Sequence, residues 1–223
     1  MTTASRELEV SLARRWGVVA GMDEVGRGAL AGPVAVGVAL IGVDAPPVPE
    51  GLTDSKALTA RRREALIEPV RSWVLASSVG YASAQEIDQW GIIAALRLAG
   101  RRALADVADR GLVPGGVLLD GSHNWLSAPD DLFGALDGPE DPFGRELPVH
   151  MQVKADASCA VVAAASVLAK VARDHLMQGL DDPGYGWASN KGYGSAAHAR
   201  AIARLGVSDH HRRSWKMPTN PTK

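Results

Sequence analysis

The sequence predicts one α/β domain, a mixed five-stranded sheet flanked by helices, with a small helical C-terminal extension. Three strand candidates come before the main helical segments, and two shorter ones alternate with helices afterwards, an order typical of a mixed sheet covered by helices. Of the 223 residues, 46% are hydrophobic and 22% are charged, which is enough apolar material for a sizeable core. This composition excludes collagen-like, disulfide-stapled and largely disordered chains.

The first third of the chain contains three strand candidates and one helix. Apolar runs at Val18–Asp23 and Val34–Ile41 predict the first two strands, which a glycine-rich turn separates. Thr59 is a suitable cap for a helix over Ala60–Trp73, and its arginines are expected on an exposed face. Val74–Ala82 predicts the third strand.

The next segment begins with a helix start signal. Ser83 and Glu86 form an S-x-x-E capping box, which predicts a short helix ending near Gly91. Ile92–Arg110 carries apolar residues at helical spacing, so a second helix follows, with its paired arginines expected on the surface. Val117–Asp120 predicts a short buried strand that ends in an acid.

The remaining elements follow a long irregular stretch. Residues 121–146 carry six acids against only Arg145 and are rich in proline and glycine, which predicts an extended loop or insertion. Val149–Val153 predicts a fifth strand, and Ala157–Met177 a helix buried along much of its surface. Ser195–Leu205 predicts a shorter helix. The acidic loop would repel a nucleic acid, so we expect it to point away from any such surface.

The charge is distributed unevenly. The net charge is −1, yet residues 191–223 hold seven Lys or Arg against one acid, Asp209. A basic segment of this kind can supply the electrostatic footprint for a phosphate backbone. A solvated amphipathic helix followed by a loose basic end would account for the same composition.

The sequence predicts a cytoplasmic protein that does not enter a membrane. The longest apolar stretches, Val34–Val43 and Ala160–Ala169, are too short to cross a bilayer. The N-terminus lacks the apolar core of a secretory signal. A lone Cys159 cannot form an internal disulfide, so nothing indicates an oxidising compartment.

Acidic residues stand where predicted strands end or a helix starts: Asp23 with Glu24, then Asp120, then Asp156. Ligands of open α/β sheets gather at the carboxyl ends of strands, and carboxylates that converge there need a neutralising partner. Divalent cations with oxygen ligands fill that role, and two such ions would activate a water for phosphodiester hydrolysis. For any one of these acids taken alone, an ordinary strand end or helix cap is the better explanation.

Two geometric conditions accompany this hypothesis. Adjacent strand residues point to opposite faces, so Glu24 must lie beyond the regular strand if it shares a site with Asp23. Asp156 is expected at the N-cap of the long helix, a role that leaves carboxylate oxygens free. Asp174 lies roughly 27 Å further along a continuous helix and cannot reach the same site.

Several motifs of the chain, taken in order, resemble those of a known family. The segment Asp23–Gly28, followed by Ala31-Gly32-Pro33, resembles the N-terminal signature of prokaryotic ribonuclease HII. Further matching motifs follow in order along the chain: Asp54-Ser55-Lys56, Asp120-Gly121, Lys154-Ala155-Asp156, Ala163 to Asp174, Lys191-Gly192-Tyr193-Gly194 and His211-Arg212-Arg213-Ser214-Trp215. The resemblance covers residues 18 to 216, and the absence of an added N-terminal domain favours ribonuclease HII over ribonuclease HIII.

The resemblance implies a ribonuclease H-like fold and a four-carboxylate site for Mg²⁺ or Mn²⁺, with two ions in the working site. Its ligands and catalytic residues would be Asp23, Glu24, Asp120 and Asp156. The implied substrates are RNA–DNA hybrids and duplex DNA with embedded ribonucleotides, cut 5′ of the ribonucleotide to leave 3′-hydroxyl and 5′-phosphate ends. The implied role is ribonucleotide removal in DNA replication and repair by a monomer whose protein partners are unknown.

Substrate recognition needs a reader of the 2′-hydroxyl, which distinguishes RNA from DNA. Gly26, Arg27 and Gly28 suit this task, since glycine lets the backbone approach a sugar closely. The resemblance assigns to Tyr193 the deoxynucleotide next to the ribonucleotide. The candidate phosphate contacts are Lys56, Lys191, Arg212 and Arg213. Taken singly, these residues also fit a tight turn, a core-edge tyrosine and solvated charges.

Two other functions fit parts of this pattern: a non-catalytic duplex-binding module, and a DNA-specific nuclease of the same superfamily. The expected organisation is an N-terminal extension (1–15), a catalytic domain (16–185) with the 121–146 insertion, and a helical, basic substrate-binding segment (186–223).

Overall fold

The computed structural model of the chain describes residues 4–128 and 138–218. The strands in these ranges are β1 (Val19–Val25), β2 (Val34–Ile41), β3 (Ala76–Ala82), β4 (Gly116–Asp120) and β5 (Val149–Gln152). The helices are α1 (Glu7–Trp16), α2 (Ala60–Trp73), α3 (Ala84–Asp109), α4 (Ala155–Ser158), α5 (Ala160–Gly179), α6 (Trp187–Asn190) and α7 (Ala196–Leu205), with a 3₁₀ turn at Ser55–Ala57. None of the described helices has the length and apolarity that a membrane span requires.

The strands form one mixed sheet in the order β3-β2-β1-β4-β5, which confirms the predicted fold class. β1 pairs with β2, and β2 with β3, in antiparallel fashion, whereas β1–β4 and β4–β5 are parallel. The register of the β1–β4 pair sets Met22 beside Leu119. The next residues, Asp23 and Asp120, therefore lie side by side at the carboxyl ends of two parallel strands.

Both faces of the sheet are covered by helices. The valines and alanines of α5 pack on one face together with α2, and α3 packs on the other. At Gly37 of β2 a side chain is excluded, because a Cβ there would lie 2.2 Å from the carbonyl oxygen of Ala165. This close approach brings the polar residue that follows in α5, Ser166, against the sheet.

The α3 helix starts and continues as the sequence predicts. The capping box is present: Glu86 N–H donates to the Ser83 hydroxyl at 3.1 Å, and Ser83 N–H donates to the Glu86 carboxylate at 2.7 Å. The predicted break near Gly91 is present as well: Gly91 has a non-helical φ of 77° and ψ of 164°, which divides α3 into two helical segments at a kink.

The long helix begins later than predicted, and the expectation that Asp156 caps it is wrong. Cys159 is extended (φ −115°, ψ 121°) and separates α4 from α5. Ser5 pairs with the chain at this break: its N–H donates to Ser158 O at 2.8 Å, and Ala160 N–H donates to Ser5 O at 3.0 Å. Asp156 therefore lies inside α4, with its carboxylate not used as a cap.

Residues 121–128 and 138–146, the described parts of the acidic segment, contribute side chains to the hydrophobic core. Trp125, Leu126 and Phe143 are buried in the core beside α3. Arg101, which was expected on the surface, is 3% exposed and donates to Leu126 O at 3.2 Å and to Glu146 at 2.6 Å. The expectation that the acidic loop points away falls partly on residues 129–137, which lie outside the described residues.

The helical C-terminal extension has a small core of its own. Tyr185, Trp187 and Ile202 pack with Met177 of α5 and with Ala31, which follows β1. The predicted helix over Ser195–Leu205 is present as α7, with Ser195 as its N-cap, because the Ser195 hydroxyl accepts from His198 N–H at 3.1 Å. The extension is thereby held against the loop that follows the first strand.

Candidate active site

Asp23 and Asp120 form the centre of the acidic cluster. Asp23 is 3% exposed, and Asp120 Oδ1 accepts a hydrogen bond from Ala155 N–H at 2.7 Å. That bond ties the end of β4 to the start of α4, which carries Asp156. The sheet register and this single hydrogen bond bring three of the four predicted carboxylates to one end of the sheet.

The buried position of Asp23 changes its acidity. Burial, followed by the negative charges of Glu24, Asp120 and Asp156, raises the pKa of Asp23 from 3.8 to about 7, while a hydrogen bond with Ser166 opposes the rise. Asp23 is therefore partly protonated at neutral pH until a positive charge compensates its neighbours.

Glu24 lies within β1, opposite Val36, so the prediction that it lies beyond the strand is wrong. As adjacent strand residues, Asp23 and Glu24 leave β1 on opposite faces, yet the charge of Asp120 acts on both side chains. Burial, opposed by the Arg27 guanidinium 3.4 Å away and aided by Asp120, raises the pKa of Glu24. Glu24 thus interacts with Asp120 from a strand position.

Asp156 and Lys56 complete the cluster. Asp156 is 5% exposed, and its Oδ2 lies 3.5 Å from Lys56 Nζ. Burial and the charges of Asp120 and Asp54 raise the pKa of Asp156, against the effect of Lys56. Burial lowers the pKa of Lys56, but Asp23, Asp156 and Asp54 outweigh it and raise the pKa overall.

The turn that carries Lys56 is held by Asp54 and Ser55 of the same sequence motif, for which the sequence predicts no separate role. Asp54 accepts from Lys56 N–H at 2.8 Å, and the Ser55 and Ser166 hydroxyls lie 2.8 Å apart. Arg63, expected on an exposed helix face, is instead 13% exposed at its side chain and donates to Ser55 O at 2.9 Å. Asp174 is neutralised by Lys170 at 2.7 Å, in agreement with its exclusion from the site.

The donor set suits a hard divalent cation, since it consists of carboxylate oxygens. Burial, and after it the neighbouring negative charges, raises the pKa values of Asp23 and Asp156. Within residues 4–128 and 138–218, however, no three side chains of His, Cys, Asp or Glu are grouped so that they could hold a metal ion as they stand. The carboxylates of Asp23, Asp120 and Asp156 nevertheless lie close enough for their charges to act on one another.

The loop after β1 is shaped by a buried arginine. Gly26 adopts φ +85°, a left-handed conformation that favours glycine. Arg212 is fully buried and donates to Gly26 O at 2.7 Å, Arg27 O at 2.8 Å and Gly32 O at 3.2 Å. This burial contradicts the expectation that Arg212 contacts a phosphate, because its guanidinium is occupied by carbonyls of the loop.

Tyr193 lies against the same loop. Its hydroxyl accepts a hydrogen bond from Gly26 N–H at 3.1 Å, and its ring lies 5.4 Å from the Arg173 guanidinium. Arg173 is fully buried and donates to Pro33 O at 2.8 Å and Lys191 O at 3.0 Å. Tyr193 is thus joined to the glycine loop directly through its hydroxyl. Its ring lies beside Arg173, a residue for which the sequence predicts no role.

The two remaining basic candidates lie on the surface. Arg213 is exposed, with an ion pair to Asp209 at 2.6 Å, and its N–H donates to Asp88 at 2.8 Å. Lys191 has a left-handed backbone (φ 52°), and its amine donates to Ala188 O. Their roles as phosphate contacts stay predictions.

Comparison with known proteins agrees with this architecture. The family model described as Ribonuclease HII matches residues 20–218. A ribonuclease HII from Streptomyces avermitilis is 44% identical over 215 residues, which cover 96% of this chain and 82% of that protein.

Two solved structures share the fold. The PCNA:RNase HII complex from Archaeoglobus fulgidus matches with a TM-score of 0.61 at 26% identity, covering 89% of this chain and 95% of that one. Bst-RNase HIII in complex with Mn²⁺ matches with a TM-score of 0.59 at 21% identity, covering 90% of this chain and 68% of that one. These likenesses confirm a ribonuclease H-like fold, and together with the match over nearly the whole sequence they establish that the chain belongs to the ribonuclease HII family.

Proposed function

We propose that this protein is an endoribonuclease that hydrolyses the RNA strand of RNA–DNA hybrids and nicks duplex DNA on the 5′ side of a single embedded ribonucleotide. The observation that supports this most directly is the convergence of Asp23, Asp120 and Asp156 at the carboxyl ends of β1 and β4. A nick of this kind leaves 3′-hydroxyl and 5′-phosphate ends and opens the removal of misinserted ribonucleotides.

The carboxylates of Asp23, Glu24, Asp120 and Asp156 would hold the divalent cations, Mg²⁺ or Mn²⁺. When bound, two such ions supply an activated water and stabilise the oxygen that leaves the phosphorus. The raised pKa of Asp23 supports this assignment, since a cation would relieve the repulsion that now favours its protonated form. Side-chain rotation would bring the four groups to ligand distance.

Lys56 is suited to adjust as substrate arrives. Its amine lies 3.5 Å from Asp156, yet its side chain is 74% exposed, so it can reach outwards to a phosphate. Moving it away from Asp156 would free that carboxylate for a cation. Arg27, which is 48% exposed at its side chain, can contact a second phosphate beside Glu24.

Ribonucleotide recognition would fall to the Gly26–Gly28 loop and Tyr193. A Cβ at Gly28 would meet no atom within 4 Å, so the backbone there is open to an approaching sugar. The Tyr193 ring, held by Gly26 N–H, would stack on the deoxynucleotide next to the ribonucleotide. Lys191 and Arg213 would contact phosphates further along the duplex.

The test uses three labelled duplexes: one with a single embedded ribonucleotide, one RNA–DNA hybrid and one of DNA alone. With Mg²⁺ or Mn²⁺ we expect cleavage of the first two and none of the third, with all cleavage lost in chelator. Cleavage of the all-DNA duplex would favour a DNA-specific nuclease. Binding without cleavage in either metal would favour a duplex-binding module.

A further inference from the structure

Two buried histidines form a hydrogen-bonded chain that ends at the Tyr193 backbone. Ser208 N–H donates to His211 Nδ1 at 2.9 Å, the Nε2 atoms of His211 and His198 lie 3.1 Å apart, and His198 Nδ1 lies 3.0 Å from Tyr193 O. His198 is fully buried and His211 is 1% exposed. Neither ring has a place in the proposed chemistry.

The two ends of this chain determine where its protons lie. A backbone N–H can only donate, so His211 Nδ1 accepts from Ser208 and the His211 proton is on Nε2. That proton points at His198 Nε2, which must accept, so the His198 proton is on Nδ1 and is donated to Tyr193 O. With both rings neutral, this is the arrangement in which all three contacts are hydrogen bonds.

The neutral state agrees with the surroundings of the rings. Burial and the neighbouring His198, His210 and Arg213 lower the pKa of His211 to about 4, despite the hydrogen bond from Ser208. A second proton on either ring would set two N–H groups against each other within the chain.

The chain joins Tyr193 to the segment that also holds the glycine loop. His211 forms a bridge with Ala31, and Arg212 N–H donates to Leu30 O at 2.9 Å. Arg212 itself donates to Gly26 O at 2.7 Å. Two consecutive residues thus hold both parts of the site. His211 is connected to the Tyr193 carbonyl through His198, and Arg212 holds the glycine loop that the Tyr193 hydroxyl contacts.

We propose that His198 and His211 are positioning residues that hold Tyr193 in register with the Gly26–Gly28 loop. This inference rests on the proposed role of Tyr193 at the ribonucleotide junction. The rings also pack in an aromatic cluster, with His211 4.7 Å from Tyr185 between ring centroids. If the two histidines served only for packing, their tautomers would not need to be fixed and His198 would not need to donate a hydrogen bond to Tyr193 O. These two features therefore distinguish a positioning role from a packing role.

Two substitutions at His198 distinguish the loss of its hydrogen bond to Tyr193 O from the loss of its packing contacts. In His198→Asn the amide nitrogen can take the place of Nδ1 and still donate to Tyr193 O. In His198→Gln the amide lies near the Nε2 position, so the contact with His211 can persist while the donor to Tyr193 is lost. His175→Gln, at an exposed histidine paired with Glu64, is the matched control.

The readout is the ratio of cleavage at a single embedded ribonucleotide to cleavage of a long RNA–DNA hybrid. We expect this ratio to fall about tenfold in His198→Gln, the value of one lost hydrogen bond, and to change less than about threefold in His198→Asn and His175→Gln. An unchanged ratio in His198→Gln, or equal falls in His198→Asn and His198→Gln, would overturn the proposal.

Nitrogen-15 NMR of the wild-type protein tests the tautomers without any activity measurement. We expect His211 protonated on Nε2 and His198 on Nδ1 at pH 7.5, and a shift of the Tyr193 resonances in His198→Gln but not in His198→Asn. Any other pair of tautomers overturns the proposal. If the wild-type protein cleaves neither substrate, the proposed function fails, and these resonances alone decide the positioning role.

Discussion

The Glu9 carboxylate accepts a hydrogen bond from Val161 N–H at 2.8 Å, across 152 residues of sequence. Glu9 lies in α1, and Val161 is the second residue of α5, whose N-cap Cys159 supplies no side-chain cap. The negative charge thus lies at the positive end of a helix dipole and satisfies one of its free N–H groups. The N-terminal helix thereby supports the start of the helix that carries Ser166 and Arg173.

Glu9→Gln should change how stability depends on pH. Burial raises the pKa of Glu9 from 4.5 to about 7, although Val161 N–H and Arg6 oppose the rise. A folded-state pKa above the unfolded value means that stability is lost as pH rises from 4.5 through 7. Glutamine keeps an acceptor for Val161 and carries no charge, so the variant escapes this loss.

We expect the free energy of unfolding of Glu9→Gln, relative to wild type, to increase by about 2 kcal/mol between pH 5 and pH 8. Denaturant unfolding in chelator at both pH values measures this. Glu7→Gln, at an exposed acid of the same helical turn, is the control and should show no such increase. If the free energies of unfolding of Glu9→Gln and wild type changed in parallel with pH, the raised pKa of the buried Glu9 carboxyl would be contradicted.

Asp23→Asn should remove activity and stabilise the metal-free protein. The pKa of Asp23 is raised from 3.8 to about 7 in the folded protein, so the wild-type protein loses stability as pH rises through this interval. Asparagine carries no charge that must be buried, so the variant does not lose this stability. At pH 8 in chelator we expect the variant to be more stable by on the order of 2 kcal/mol. Cleavage in Mg²⁺ should fall at least about a hundredfold.

Addition of Mn²⁺ should raise the melting temperature of wild type but not of Asp23→Asn, because only a cation bound to the folded state stabilises it. Asp174→Asn is the control, since that carboxylate is paired with Lys170 outside the acidic cluster, and it should behave as wild type. Full cleavage by Asp23→Asn would refute the metal assignment.

Gly26→Ala should lower the stability of the protein. Gly28→Ala should instead lower cleavage at an embedded ribonucleotide and leave the stability nearly unchanged. At Gly26 a Cβ would lie 2.1 Å from Arg173 Nε, and φ is +85°. Arg173 cannot move aside easily because it donates to Pro33 O and Lys191 O. We therefore expect Gly26→Ala to cost about 3 kcal/mol of stability.

Gly28→Ala meets open space, so its stability should stay within about 0.5 kcal/mol of wild type. Its methyl group would nevertheless stand where a sugar approaches, so cleavage at an embedded ribonucleotide should fall. Thermal unfolding and cleavage assays on both variants check this. A Gly28→Ala protein with normal cleavage would rule out close backbone contact with the sugar at this residue.

Tyr193→Ala should impair cutting at a single embedded ribonucleotide more than cutting within a long RNA–DNA hybrid. Loss of one base–aromatic stack costs about 1–3 kcal/mol, which corresponds to roughly a tenfold to hundredfold loss on the first substrate. Tyr193→Phe keeps the ring but loses the acceptor for Gly26 N–H, so it should lie between Tyr193→Ala and wild type. Equal losses on both substrates would remove the junction role.

Elements whose causes lie within a few residues could be predicted from the sequence. The bounds of β2 (Val34–Ile41) and α2 (Ala60–Trp73) match the prediction, because an apolar run and the Thr59 cap are local signals. The position of Asp120 at the end of β4 was likewise predicted from the short apolar run that precedes it. Motif order along the chain then predicted the ribonuclease H-like fold.

Which long side chains are buried, and where α5 begins, could not be predicted before the folded chain was seen. Arg212 and Arg101 look like surface charges in the sequence, yet their guanidinium groups bind carbonyls that lie far away along the chain. The chain at the helix break beside Cys159 pairs with Ser5, more than 150 residues earlier. The physical reason is common to all three: each hydrogen-bond partner arrives only when the chain closes on itself, so no local pattern of residues records it.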